Sequence, residues 1–333
     1  MPSQTNNQKP RHTLVKAIAI IIVWLILASL IFVNRFNIFD WWRLRNYQTP
    51  TTVQSLINDD SMTPLGATLF KINYPNIENS STFNQNCPNY DIEQSLVLGC
   101  YHAIQEGIFL LNVNDPQLNG VMQVTAAHEM LHAAYDRLNQ NQKNNVDKML
   151  MDFYTKDVHN PVIINEINIY KKTEPGSVLN EMHSTFGTEI VNLPADLNAY
   201  YSQYFYNRVK IADYAISYQG ALLSKQSQVN SDDQQLSVLK AQIQSVEADL
   251  SAKLSSINSI EAQLNNLKDS GNTSAYNAGV PSYNNLVNQY NDEVDQLQVQ
   301  INQYNSLVNQ RNSLALTENQ LYQALSGQPT KIK

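Results

Sequence analysis

The C-terminal part of this chain is written in sevens. Leu236, Ile243, Leu250, Ile257 and Leu264 recur at a constant spacing of seven residues. Leu239, Val246, Ile260 and Leu267 fill the companion positions, with Lys253 as the exception. A seam of that period keeps one stripe of a helix turned toward a partner helix, which predicts a coiled coil. A second seam follows in Val287, Tyr290, Val294, Leu297, Ile301, Tyr304 and Val308, weakening at Arg311. The stretch 269–282 between them carries Gly271, Gly279 and Pro281 and reads as a loop. Two arms of about 45 residues, on the order of 65 Å each, around one loop predict an antiparallel hairpin rather than a parallel oligomer of one seam. Its polar, weakly charged surface suits a spacer or an arm that docks another cell-envelope protein.

The N-terminal part is constrained as strongly. Residues 14–33 form an apolar run broken only by Lys16 and Ser29. That is long enough to cross a bilayer as a helix, longer than the apolar part of a usual signal peptide, and followed by no clear small-x-small cleavage site. An uncleaved single-pass anchor in the cell membrane is expected, with Trp41 and Trp42 at headgroup level. Lys9, Arg11 and Lys16 balance Arg35, Arg43 and Arg45 across the span, so the basic residues do not orient it. Cys87 and Cys100 break the tie. They are the only two cysteines, thirteen residues apart and both past the span, a pairing that suits a disulfide in an oxidising compartment. The expected topology is N-terminus inside and bulk outside, making the domain extracytoplasmic; two buried free thiols in a cytoplasmic domain are the alternative. A net charge of -7 and a pI near 5.4 leave no basic footprint for nucleic acid.

Between anchor and coiled coil lies His128-Glu129-Met130-Leu131-His132, an H-E-x-x-H string in a proline-free run from 120 to 138. Val121, Val124, Leu131, Ala134 and Leu138 can form the inward face of a helix there. Residues four apart lie one above the other on a helix, so both imidazoles can face one metal ion. Zinc accepts neutral imidazole nitrogens and, in catalytic sites, keeps one position open for water. Glu129 would stand beside that water as general base.

The stretch 125–134 resembles the extended signature of the zincin metallopeptidases. That resemblance implies a third protein ligand to Zn2+. The metzincin continuation is absent, since Ala133-Ala134-Tyr135-Asp136 follow. The gluzincin pattern takes a glutamate from an N-E-x-x-S-like string on a later helix, and Asn180-Glu181-Met182-His183-Ser184 matches it, Glu181 lying 49 residues past His132. The implied metal ligands are therefore His128, His132 and Glu181, with Glu129 catalytic. Glu189, in a downstream Gly-Thr-Glu string, competes for the third position; Glu166 and Glu174 fit less well. The family's aspartate after the serine is Thr185 here. His183 is either an oxyanion stabiliser or a histidine on another helix face, and Tyr200 or Tyr201 could donate to the same oxyanion.

The remaining pattern predicts a strand at 67–72, a loop at 76–89, and strands at 96–103 and 107–113 joined by a turn at Gln105-Glu106. Helices are expected at 142–156, 162–172 and 177–186, the last capped by Ser177, and another opened by Pro194 with Leu197, Tyr201, Tyr204 and Phe205 as core. The resemblance makes 107–113 either a sheet edge for an extended substrate or, on its apolar run alone, a buried strand. The expected class is α+β: a zincin-like domain with a small mixed sheet and active-site helix, an N-terminal transmembrane helix and a C-terminal hairpin. The expected divisions are a cytoplasmic tail 1–13, a span 14–33, a connector 34–60, a metallopeptidase domain 61–210, the hairpin 211–325 and a tail 326–333. By resemblance the function is zinc-dependent hydrolysis of peptide bonds in a protein or peptide substrate. The alternatives are an inactive envelope scaffold and a hydrolase of cell-wall peptide crosslinks.

Overall fold

The computed structural model describes residues 11–87, 98–103 and 107–326. Helix α1 (Arg11–Val33) contains a 19-residue stretch, Val15–Val33, that is long and apolar enough to cross a membrane and that is left uncovered by the other described residues. After Asn34 comes α2 (Arg35–Leu44), then α3 (Thr51–Asp59) and α4 (Pro64–Ile72). The expected connector thus holds domain structure, because Val53, Leu56 and Ile57 of α3 are buried. The expected strand at 67–72 forms the last six of the nine residues of α4. Thr63 caps this helix by accepting from the Gly66 amide at 3.2 Å, Pro64 opens its first turn, and Gly66, Leu69, Phe70 and Ile72 turn inward at helical spacing.

A strand does occur nearby, inside the stretch read as a loop. It is β1 (Asn76–Glu78), followed by the short helix α5 (Ser80–Asn86). Strands β2 (Gly99–His102) and β3 (Gly107–Leu111) complete a mixed sheet of order β1-β3-β2 among the described residues. Strand β3 runs parallel to β1, pairing Phe109 with Asn76, and antiparallel to β2, pairing Leu110 with Gly99. The 107–113 segment is therefore the central strand and not an edge. Its burial on both faces matches its unbroken apolar run. Residues 96–97 and 104–106 of the expected hairpin lie outside the described residues. The expected disulfide is present: Cys87, at the end of α5, is joined to Cys100 of β2.

A short 3-10 turn, Pro116–Leu118, leads to α6 (Val121–Asp136), the H-E-x-x-H helix. Helices α7 (Gln140–Lys156), α8 (Pro161–Thr173), α9 (Val178–Glu189) and α10 (Ala195–Tyr201) follow. Asn139 and Gln142 form a reciprocal capping box at the start of α7. Ser177 stands at the N-cap of α9 but makes no side-chain cap, contrary to expectation. Tyr204 and Phe205 lie just past α10 and, with Leu197 and Tyr201, are buried as expected.

Two compact units result. The first comprises residues 1–112 and 120–215, the second residues 113–119 and 216–333. The second is dominated by α12 (Thr273–Ser326) and most of α11 (Arg208–Asp269), a helix that starts in the first unit, where Ile211, Ala212 and Ala215 are buried. Contacts between the two helices run in antiparallel order: Asp232 with Gln310 and Asp233 with Arg311, then Lys253 with Glu293, then Leu264 against Gly279. The first heptad seam is the buried stripe of α11, with Leu250, Ile257 and Leu264 inside. Lys253, the exception in that seam, pairs with Glu293.

Two expectations for the arm are corrected. Glu293 takes the inner position and Val294 is turned out, 39% exposed, because the seam must offer a carboxylate opposite Lys253. The connection is also shorter than expected. Only a turn at residues 270–272, with Gly271 at φ 71°, separates the helices, while Gly279 and Pro281 are inside α12. A Cβ at Gly279 would sit 2.8 Å from the Leu264 side chain, so glycine serves close packing there.

Replacing Cys87 and Cys100 with serine should cost about 2–4 kcal/mol, as expected for opening a small loop. A lowered urea midpoint of the detergent-solubilised chain checks this, with the slope rising as the unfolded chain loses its crosslink.

Candidate metal centre

Helix α6 is buried nearly all round, and its small residues set how close its neighbours come. Ala126, Ala127, Ala133 and Ala134 are buried, and α6 packs most extensively against α9. The approach is tight at Gly187 of α9, where a Cβ would lie 2.4 Å from Leu131 Cδ1 and 2.8 Å from Tyr201 Cε1. Arg208 holds the end of α9 in place, donating to the carbonyls of Ile190 and Val191.

This packing faces three donor side chains toward one point. His128 Nε2 and His132 Nε2 lie 3.0 Å apart. Glu181 Oε1 is 3.5 Å from His128 Nε2, and its Oε2 is 3.5 Å from His132 Nε2. The three residues form a possible metal-binding group, with Glu181 only 3% exposed. Ligands about 2.0–2.2 Å from a tetrahedral metal ion stand roughly 3.3–3.5 Å from one another, which the two 3.5 Å histidine–glutamate separations match, while the imidazole nitrogens, 3.0 Å apart, would part slightly around such an ion. Glu189, two helical turns on, is not in the group, nor is Glu166 or Glu174.

The donors are also supported. His132 Nδ1 is 3.0 Å from Asn180 Oδ1. If the Nδ1–H donates there, the Nε2 lone pair is left facing the site. Thr185 Oγ1 donates to Glu181 Oε1 at 3.3 Å. Thr185, the departure from the gluzincin pattern, thus steadies the carboxylate rather than a histidine. Asn180 belongs to the sequence string but nothing in the string assigned it this part.

Burial dominates the electrostatics. It lowers the proton affinity of both histidines, and for His128 the neighbouring imidazoles of His132 and His183 add to the effect. The carboxyls move the other way. Burial and then Glu181 hold Glu129 well above the usual carboxylate range, and burial and then Glu189 push Glu181 up to about 8. Glu166 is likewise raised, first by burial and then by Glu189 and Glu181. Neutral imidazoles and crowded carboxyls are a donor set suited to a divalent cation.

Glu129 is 5% exposed and has strand β2 against it. A Cβ on Gly99 would stand 2.7 Å from Glu129 Oε1 and 2.6 Å from Thr125 Cγ2, so only glycine lets the strand backbone come this near. No short-range pattern in the sequence marks that approach. His183 is not on the surface. It is fully buried among the rings of Tyr135, Tyr200, Tyr201 and Tyr204, with Nε2 2.8 Å from the Tyr200 hydroxyl. Burial, then His132, lowers its pKa to about 3. The Tyr201 hydroxyl donates to the His183 carbonyl at 2.7 Å, so both tyrosines singled out in the sequence are tied to this histidine.

Comparison with known protein families, with curated proteins and with solved structures finds no match to this chain.

Affinity for a divalent metal ion should depend on pH in a defined sense. Both histidines are neutral at pH 7, whereas Glu181 is largely protonated below about 8. Binding then displaces at least the Glu181 proton, and affinity should fall about tenfold or more per unit as pH drops below about 8, more steeply where the raised Glu129 carboxyl also ionises on binding. Competition titration against a chelator over that range checks the slope. Gly99→Ala should destabilise the first unit by about 1–3 kcal/mol through overpacking, read as a lowered urea midpoint.

Proposed function

We propose that this chain is a membrane-anchored zinc metallopeptidase of gluzincin type, its catalytic unit outside the cytoplasm. The observation that carries the reading is the convergence of His128, His132 and Glu181, with Glu129 on the same helix. Two imidazoles and one carboxylate are the three-ligand set of hydrolytic zinc sites, which leave a fourth position for water or substrate. Bound there, Zn2+ would polarise the scissile carbonyl, acidify the attacking water and draw the Glu129 carboxyl back toward its ionised form.

The protein's own groups supply the rest. Glu129 accepts the water proton at its carboxylate and returns it to the leaving amine. The Asn180 and Thr185 contacts hold the ligands in register. Strand β2 bears on orientation: among the described residues it has β3 on one side and no further strand on the other. Leu98 and Leu111 form a hydrogen-bonded pair, which turns the main-chain groups of Gly99, the next residue, away from β3. An extended polypeptide paired there would pass beside Glu129 with backbone recognition and little side-chain demand. This moves the substrate-edge role from 107–113 to the neighbouring strand. The Cys87–Cys100 disulfide and the apolar span support placement at a membrane, facing an oxidising compartment.

Glu129→Gln should keep one zinc per chain and lower hydrolysis of an unstructured peptide by a factor of about 10²–10⁴, the usual worth of a general base. Glu181→Ala should instead lose zinc on dialysis. Metal analysis alongside a peptide-cleavage assay tests both. Full turnover by the glutamine variant would end the assignment of Glu129, and absence of zinc from the parent chain would end the metallopeptidase reading.

A further inference from the structure

Helix α2 is built the wrong way round for a helix in water. Its half-buried side carries Phe39, Asp40, Arg43 and Leu44. Arg137, at the C-terminal end of α6, makes a bidentate pair with Asp40, with Nη1 at 2.8 Å from Oδ2. Arg43 donates to the Ile72 carbonyl at the end of α4 and lies 4.2 Å from the Tyr74 ring centroid, while the Tyr74 hydroxyl donates to the Arg43 carbonyl at 2.8 Å. The opposite stripe is Ile38, Trp41, Trp42 and Arg45, spaced i, i+3, i+4, i+7. Ile38, Trp41 and Trp42 are 47%, 69% and 54% exposed. Asp40 and Arg43 point at the protein while both indoles point away from it, an unusual arrangement for an amphipathic helix in water.

The chain itself indicates what covers that stripe. Only Asn34 separates α2 from the apolar helix α1, so α2 begins where a span would leave the hydrocarbon. Tryptophan beside arginine is the composition of the headgroup layer. The clamp then fixes a height. His132 precedes Arg137 by five residues, about 7.5 Å along α6, and Asp40 follows Val33 by seven residues, at most about 10 Å of helix. With side-chain reach added, the metal centre stands within about 30 Å of the end of the span, a distance covered by roughly ten extended residues.

We propose that α2 is an interfacial plate, with Ile38, Trp41 and Trp42 in the lipid headgroup layer, which holds the metal centre against the bilayer so that its substrates are polypeptide segments attached to the same membrane. The substrate half rests on the metallopeptidase reading; the plate does not.

The test uses the full-length Trp24→Phe chain in phosphatidylcholine vesicles, where Trp41 and Trp42 are the only indoles left. Phospholipids brominated high on the acyl chain should quench their fluorescence several-fold more than those brominated near the chain end, and aqueous iodide should quench little. Strong iodide quenching with none from bromolipid would overturn the plate, as would strongest quenching from the deep bromines. In the same vesicles, a peptide on a lipid anchor should be cut at least about fivefold faster when its susceptible segment is ten rather than forty residues from the anchor, since only the former is confined to the metal centre's height. Arg137→Ala combined with Arg43→Ala, which removes both arginine ties of α2 to the domain, should erase that preference and leave tryptophan quenching unchanged. Equal or reversed rates overturn the substrate class. Failure to cut either anchored peptide or a free one removes the peptidase reading, and the quenching result still decides the plate.

Discussion

The approach of α9 to α6 is the contact on which the site depends. At Gly187 the helices come within a distance that no side chain allows, with Leu131 and Tyr201 filling the space a Cβ would need. Two turns earlier on α9, Glu181 is thereby brought to the two histidines of α6. Close helix packing is stiff, because interiors are dense and small displacements cost contacts on every side. The ligand geometry is therefore inherited from a hydrophobic contact several residues away. Arg208, bonded to the carbonyls that end α9, closes the arrangement from below.

That packing also creates an electrostatic debt. Glu129 and Glu181 lie beside two imidazoles that burial keeps neutral, and Glu166 raises the crowding on the Glu181 side. Without a cation, such carboxyls relieve their repulsion by holding protons. A divalent ion would let them ionise, so metal binding and the protonation state of Glu129 are coupled through the same few ångströms. The aromatic cage around His183 has another character: it is a packed, neutral structure that backs the α6 face.

Local chemistry made much of this legible. The H-E-x-x-H string lies on a helix, the Asn180–Ser184 string supplies the acidic partner, and the lone cysteine pair is a disulfide, because each depends on short spacings or on residue scarcity. Elements set by tertiary context were not legible. Residues 67–72 are apolar enough for either a strand or a helix, and the cap at Thr63 decided for the helix. Val294 looked like a seam residue until Lys253 required a carboxylate opposite it. Pro281 and Gly279 looked like a loop, yet α12 accommodates both, the glycine against Leu264. The nearness of Gly99 to Glu129 joins residues 30 positions apart and leaves no periodic trace.

One residue past Gly99 is Cys100, so the covalent link to Cys87 is anchored next to the backbone that fences Glu129. The state of a thiol pair and the surroundings of a buried acid are in this way made neighbours on one four-residue strand. A chain whose cysteines are still apart lacks the staple that pins that strand end to α5. Completing the strand that borders Glu129 is then a redox step as well as a folding one, since the staple forms only as two thiols are oxidised.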